Sequence, residues 1–185
     1  MKRMDLIRHL FELERLRVFV FAKRDIEKLF PEEDAKSMEK SLQRMVKDGL
    51  IERAARGIYV NPAAASRNAG WIIEDVAKAL RPGHLCYVSL ESMLSEYGVI
   101  SQIPVSRLTV MTTGASGIHE TPYGVIEFTH TKRSLPDILV RTVHVKGRPL
   151  RIATKRAALQ DLLRVGRNVD MIDYEELSDD EWDIA

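Results

Sequence analysis

Residues 23–60 read KRDIEKLFPEEDAKSMEKSLQRMVKDGLIERAARGIYV, and this stretch decides the fold of the chain. It predicts a helix over 24–30 that Pro31 ends, and a second helix over 35–48 that Gly49 closes. Two short strands joined by a basic turn follow. This order of elements is the outline of a winged helix-turn-helix.

The second helix has two chemically different faces. Asp34 is placed to cap its N-terminus, and its apolar residues fall at helical spacing and predict one buried stripe: Ala35, Met38, Leu42, Met45 and Val46. The opposite face carries long cations and short hydrogen-bonding side chains: Lys36, Ser37, Lys40, Ser41, Gln43, Arg44 and Lys47. Such side chains reach phosphates and base edges in a major groove. The alternative is an ordinary solvated helix surface.

The strands after this helix favour the DNA-binding interpretation. They form a predicted ribbon with Arg53 and Arg56 at its tip, and Gly57 supplies the permissive backbone that a tight turn needs. A ribbon with arginines beside a basic helix is typical of a two-part DNA clamp.

Composition restricts the class of protein. Of the 185 residues, 45% are hydrophobic, which is enough for a packed core. The single cysteine, Cys86, excludes an internal disulfide and a cysteine-rich zinc site. The sequence has neither an apolar signal-peptide region nor a run long enough to cross a membrane. We therefore expect a cytoplasmic protein without a membrane contact.

The charges are segregated along the chain, although the net charge is only +1. Residues 1–60 hold 14 Lys/Arg against 11 Asp/Glu, and residues 61–169 hold 14 against 8. From Asp170 onward there are 8 acidic residues and no basic one. A basic body with an acidic tail favours a polyanionic partner. We expect three parts: a winged helix-turn-helix over 1–62, an α+β domain over 63–169, and an acidic tail over 170–185.

The remaining pattern predicts a mixed α+β chain. A first helix over 5–16 has Asp5 as its expected N-cap, and a β-prone run over 18–21 is expected to pair with the wing. The other expected helices cover 69–80, 89–97 with Ser89 as N-cap, and 154–165. The other expected strands cover 85–88, 108–113, 124–130, 138–145 and 150–153.

An enzyme would need a constellation of reactive groups, and the sequence shows none. There is no glycine-rich phosphate loop followed by Lys-Ser/Thr. The histidines lack the spacing of metal ligands: His9, His84, His119, His130 and His144. We therefore expect a non-enzymatic protein without cofactor or metal. The scattered cations of the second domain are either a solvated surface or a patch for flanking DNA or an acidic partner.

Three segments resemble the AbiEi family, the antitoxin half of type IV toxin–antitoxin systems. They read SMEKSLQRMVKDGLIERAARGIYVNP at 37–62, YVSLESMLSEYGVISQIP at 87–104 and LRIATKRAALQDLLRVG at 150–166. Met93 departs from the family's preference for a small residue, and Lys155-Arg156 replaces the usual Pro-Glu.

The resemblance implies an antitoxin domain after the winged helix and a role as transcriptional autoregulator. Such antitoxins bind inverted repeats in their own promoter and counter a separately encoded nucleotidyltransferase-like toxin. The expected partners are thus double-stranded promoter DNA and, functionally, the toxin, with the antitoxin acting as a monomer or weak dimer. The alternative is a protein-interaction module whose C-terminal domain neutralises a partner directly, without specific DNA binding.

Overall fold

The computed structural model describes residues 1–100 and 106–174. The chain divides into two compact units, Met1–Leu80 and Arg81–Ala185. The division lies later in the chain than the boundary expected after Pro62. The helix over Ile72–Leu80 packs on two strands of the N-terminal sheet, so it belongs to the first unit.

The first unit follows the element order expected of a winged helix-turn-helix. Its helices are α1 (Arg3–Arg15), α2 (Lys23–Leu29), α3 (Ala35–Lys47) and α4 (Ile72–Leu80). Its strands are β1 (Val20–Ala22), β2 (Glu52–Ala55) and β3 (Ile58–Val60). They form an antiparallel sheet in the order β1-β3-β2, so the β-prone run before α2 pairs with the wing as predicted.

One apolar core holds the helices of this unit on the sheet. Its buried members come from α1, β1, α2, α3, β3 and the residues directly after α2 and before β2, and they are Leu6, Leu10, Phe21, Ile26, Phe30, Met38, Leu42, Met45, Ile51 and Tyr59. Because α2 and α3 both bury one side here, the other side of α3 is left to solvent.

Two details of this unit differ from the sequence-based prediction. Helix α1 begins at Arg3, with Lys2 as N-cap, and Asp5 lies within its first turn. Acidic side chains are favourable both at the cap and in the first turn, so the pattern alone does not separate the two positions. Ala35 is exposed, because the first residue of α3 precedes the part of the helix that packs on the core.

The second unit is built on a six-stranded mixed sheet. Its strands are β4 (Cys86–Val88), β5 (Arg107–Thr112), β6 (Gly117–Thr121), β7 (Gly124–His130), β8 (Thr142–Val143) and β9 (Arg151–Ala153). Their order is β6-β7-β5-β4-β9-β8. The pairs β5–β7 and β4–β9 are parallel, and the other neighbours are antiparallel. The helices are α5 (Leu90–Glu96), α6 (Leu135–Arg141) and α7 (Lys155–Val165). The mixed α+β class is as predicted.

The strand expected over 138–145 is wrong, because the first half of that stretch belongs to α6 and only Thr142–Val143 form a strand. The side chain of Ser134 accepts a hydrogen bond from the Asp137 backbone N–H, and the Asp137 carboxylate accepts one from the Ser134 backbone N–H. Pro136 lies in the first turn. This capping box starts a helix, and it outweighs the strand preference of the apolar run Ile138-Leu139-Val140. Strand β6 was not predicted.

A buried carboxylate joins α7 to the sheet of the second unit. Asp161 is fully buried, and its Oδ2 accepts hydrogen bonds from the Tyr87 hydroxyl (3.0 Å) and the Ser89 hydroxyl (2.9 Å). Ser89 does precede α5 as its N-cap residue, but its side chain makes no capping hydrogen bond. The Ser89 hydroxyl donates to Asp161 instead.

The first residues of the predicted acidic tail belong to the second unit. A 3-10 turn covers Val169–Met171, and Ile172, which is buried, forms a β-bridge with Ile100. The Asp173 N–H donates to the Val99 carbonyl at 2.8 Å. The rest of the tail, 175–185, lies outside the described residues. No helix in the described part of the chain is long and apolar enough to span a membrane.

Candidate nucleic-acid interface

Helix α3 begins at a side-chain cap, as predicted. Asp34 Oδ1 accepts hydrogen bonds from the backbone N–H groups of Lys36 (2.9 Å) and Ser37 (3.0 Å), and Oδ2 accepts one from the Ser37 hydroxyl (2.6 Å). These bonds, led by that of the Ser37 hydroxyl, lower the pKa of Asp34 below its usual value. The cap fixes where α3 starts and therefore which side chains face outward.

The outer side of α3 carries five exposed long side chains, which we call the recognition face: Lys36, Lys40, Gln43, Arg44 and Lys47. Four of them are cations, and the fifth is an amide that both donates and accepts. Lysine and arginine bind phosphates, while arginine and glutamine form paired hydrogen bonds with purine edges. The recognition face can thus contact both the phosphates and the base edges of DNA.

The two serines that were predicted on this face have other roles. Ser37 is exposed, but its hydroxyl donates to the cap Asp34. Ser41 is only 7% exposed and lies among the core-facing residues of α3, where its hydroxyl donates to Glu33 Oε2 at 3.3 Å. The predicted position of Ser41 on the outer face is therefore wrong. A serine whose hydroxyl finds an acceptor can lie on a buried helix side, and polarity alone does not reveal this.

An ion pair that the sequence did not reveal flanks the recognition face. Lys23 Nζ donates to Glu39 Oε2 at 2.9 Å, so the start of α2 is connected to the middle of α3. The hydrogen bond lowers the pKa of Glu39 and raises the pKa of Lys23. Glu39 lies beside the cations of α3, and its pairing with Lys23 offsets a charge that would repel phosphate.

The wing consists of β2, β3 and the turn between them. Ala55 pairs with Ile58, which leaves Arg56 and Gly57 as the two turn residues. Gly57 has a φ of +74°, which a residue with a side chain rarely adopts. Arg53 and Arg56 are both exposed. Arg56 lies at the tip as predicted, whereas Arg53 lies within β2, opposite Tyr59. The Gly57 carbonyl accepts from the Lys23 N–H at 2.8 Å, so the wing turn is held against the start of α2.

Met1 contacts α3 and the turn that precedes it. The Met1 amine is ion-paired with Glu33, which lies in the turn between α2 and α3. The Met1 carbonyl accepts a hydrogen bond from Arg44 Nη2 at 3.1 Å. The Arg44 guanidinium of the recognition face is therefore held by a contact within the protein.

Two histidines and the cysteine of the second unit make local contacts. His119 Nε2 accepts from Arg81 at 3.2 Å, and His130 Nδ1 lies 2.8 Å from the Gly114 carbonyl. Cys86, which is half-buried, donates to the Thr112 hydroxyl at 3.2 Å, and burial raises the pKa of its thiol. Within residues 1–100 and 106–174, no group of three His, Cys, Asp or Glu residues is arranged to hold a metal ion.

Comparison with solved structures shows a similar fold. The chain is similar to the RV2827C protein from Mycobacterium tuberculosis, with a TM-score of 0.51 and 15% sequence identity over 86% of this chain. The chain spans 60% of the length of that protein. No curated protein matches the sequence.

Comparison with protein families identifies the N-terminal unit. Residues 8–62 match a family described as transcriptional regulator, AbiEi antitoxin. The matched region includes α2, α3 and the wing, which are the elements that form the candidate interface. The match confirms the predicted resemblance to the AbiEi antitoxin transcriptional regulators for residues 8–62 of this chain.

Proposed function

We propose that this protein is the antitoxin and transcriptional autorepressor of a type IV toxin–antitoxin operon. It binds inverted repeats in its own promoter through α3 and the wing, and it counters a nucleotidyltransferase-like toxin without being an enzyme itself. It acts in the cytoplasm, where its promoter is found.

The recognition face is the single observation that carries the DNA-binding part. Its five exposed side chains lie on one side of a capped helix, and the two wing arginines lie in the same unit. The family of residues 8–62 consists of transcriptional regulators. A role in regulation therefore follows from the family, and promoter binding is the function that this geometry supports best.

We assign different tasks to the helix and the wing. In a helix-turn-helix protein the second helix lies in the major groove, where its side chains read base edges. Gln43 and Arg44 are the residues suited to that reading, whereas Lys36, Lys40 and Lys47 can add phosphate contacts. Arg53 and Arg56 project from the ribbon toward phosphates or the minor groove. Two copies on an inverted repeat would cover the promoter and block transcription.

The second unit is proposed to supply the antitoxin activity. This assignment rests on the segments 87–104 and 150–166, which resemble the AbiEi family. The family match itself ends at Pro62, so this part of the proposal needs its own test. Co-expression with the toxin should separate the two roles, because a chain with an inactive recognition face would still protect the cell.

Fluorescence anisotropy provides the first test of promoter binding. The full chain is titrated onto labelled DNA from upstream of its own gene and onto a scrambled sequence of equal length, each at low and moderate salt. We expect the upstream DNA to bind tighter by a factor on the order of 10³ at moderate salt.

The contrary outcome is equally informative. If both DNAs bind equally and lose affinity together as salt rises, the protein reads phosphates only. The autorepressor proposal would then fail, and direct neutralisation of a protein partner by the second unit would replace it.

A further inference from the structure

The outer side of α6 and the residues after it form an exposed apolar surface, which we call the α6 patch. Its members are all at least 41% exposed, and they are Leu135, Leu139, Val140, Val143 and Val145. Val140 alone is 84% exposed. The patch lies beside β8, the edge strand of the six-stranded sheet. Clustered exposed apolar side chains of this kind mark a surface that binds something.

The α6 patch is bordered by an excess of positive charge. Arg133, Arg141 and Arg164 direct guanidinium groups to the same carboxylate oxygen, Asp161 Oδ1, at 3.0, 3.5 and 4.0 Å. The exposed carboxylate of Asp137 also interacts with Arg133 and Arg141, so two carboxylates face three guanidinium groups and one positive charge is in excess. Arg133, Arg141 and Asp137 also line an open cleft together with Val140. The site therefore suits an occupant that is both acidic and apolar.

The chain contains one segment with this chemistry. Residues 175–185 read EELSDDEWDIA and carry six carboxylate side chains and no cation. Their apolar members are Leu177, Trp182 and Ile184. We propose that this segment binds the α6 patch of the same molecule, with its apolar side chains on the patch and its carboxylates toward the bordering arginines.

The contacts of the second unit place the start of the segment within reach. The Asp173 N–H donates to the Val99 carbonyl. Tyr97, two residues before Val99, donates its hydroxyl to the Ala153 carbonyl at 2.8 Å. Ala153 pairs with Thr142, the residue that directly follows α6. Eleven extended residues span about 36 Å at about 3.3 Å each. The path from Asp173 to the end of α6 crosses two pairs of adjacent backbones and one tyrosine side chain, and it is shorter than the extended segment.

Covalent attachment makes this contact favourable even if it is weak. A short tether gives a local concentration in the millimolar range, so a modest intrinsic affinity suffices to cover the patch. The segment would then act as an internal competitor for any other acidic ligand of the second unit. The contact does not depend on promoter binding, so failure of either proposal leaves the other standing.

Tryptophan fluorescence of the full chain tests this proposal. The chain has two tryptophans, Trp71 and Trp182, and Trp71→Phe leaves Trp182 as the only indole. We expect its emission to be shifted to the blue of that of a free peptide 175–185, and its quenching by acrylamide to be reduced. Raising the salt concentration should weaken both effects, because the bordering contacts are ionic.

Two matched substitutions locate the contact. In the Trp71→Phe background, Val140→Asp places a repelling charge in the patch and should return Trp182 to the emission of the free peptide. Ile118→Asp is the control, because Ile118 is 62% exposed but lies on β6, the opposite edge strand of the sheet. It should leave the emission unchanged.

Several outcomes would overturn the proposal. Emission and quenching equal to those of the free peptide would show that the segment is not bound. If the Trp182 emission is blue-shifted but is unchanged by Val140→Asp, or is changed equally by Ile118→Asp, the segment binds at another place. If Trp71→Phe does not fold, fluorine NMR of the unsubstituted chain with 5-fluorotryptophan gives the same comparison, with Val140→Asp shifting one of its two signals.

Discussion

Lys40 and Arg44 are the two residues whose substitution best tests the recognition face. Both are exposed on the outer side of α3. We expect Lys40→Ala and Arg44→Ala to weaken binding to upstream DNA more than binding to scrambled DNA. A base contact contributes about 1–3 kcal/mol, which corresponds to a loss on the order of 10-fold or more. Anisotropy titrations on both DNAs measure it.

Arg56 in the wing turn should behave differently. Arg56→Ala is expected to weaken binding to both DNAs to a similar degree and to reduce the slope of log affinity against log salt by about one, as for a lost phosphate contact. Arg8→Ala is the control, because Arg8 is exposed on α1, outside the recognition face and the wing. Unchanged affinity in all three interface variants would remove α3 and the wing from the binding site.

Ser41 offers a test of the corrected interface. Because its hydroxyl is buried and donates to Glu33, we expect Ser41→Ala to lower the free energy of unfolding by about 1 kcal/mol and to leave DNA affinity unchanged. Urea unfolding and anisotropy of the same sample measure the two effects. The neighbouring Lys40→Ala should show the reverse pattern, and reduced DNA affinity of Ser41→Ala at unchanged stability would restore Ser41 to the interface.

At the scale of single elements, α4 contains an acid whose pKa is shifted. Burial raises the pKa of Asp75 to about 6, against the lowering effect of Lys78. Between its ordinary value of 3.8 and about 6, the folded chain holds a proton that the unfolded chain has released. The free energy of unfolding should therefore fall as the pH rises through this range.

Substitution of Asp75 isolates this effect. The difference in unfolding free energy between Asp75→Asn and the unsubstituted chain should be small at pH 4, grow toward pH 6 in favour of the variant, and then remain constant. Urea unfolding at several pH values measures it. Lys78→Gln should enlarge the difference, because Lys78 favours the charged carboxylate. A difference that does not change with pH would show that Asp75 titrates normally.

Helices α3 and α6 show how local signals decide an element. Asp34 before α3 is an N-cap visible in the sequence, and the structure contains that cap. Ser134 before α6, and Pro136 and Asp137 in its first turn, are equally visible, but the apolar run after them also suits a strand. Only the packing of α6 on β8 shows which tendency prevails, because burial decides between propensities of similar size.

At the scale of the whole molecule, Asp161 is the residue on which the second unit depends most. It joins α7 to β4 through Tyr87 and faces three arginines. Removing the charge of Asp161 takes away the one buried counter-ion of these guanidinium groups, and loss of one partner from a buried ion pair costs about 3–5 kcal/mol. We expect Asp161→Asn to destabilise the second unit by an amount of this order.

Urea unfolding followed by hydrogen exchange can locate that loss. Amides of the sheet β4 to β9 should lose protection, whereas those of α1 to α3 should keep it, because the two units have separate cores. Tyr87→Phe is the milder control and should cost about 1 kcal/mol. Equal loss of protection in both units would show that they unfold together.

The sequence by itself predicted the helix order of the N-terminal unit and eight of its nine proposed interface residues as exposed side chains. It could do so because helix caps, helical spacing and the glycine of the wing turn act over a few neighbouring residues. Tertiary structure alone placed Ser41 in the core, paired Lys23 with Glu39 and made α6 a helix. It also gathered three arginines around Asp161. Each of these depends on which distant residues become neighbours, and burial and charge pairing act between neighbours in space rather than along the chain.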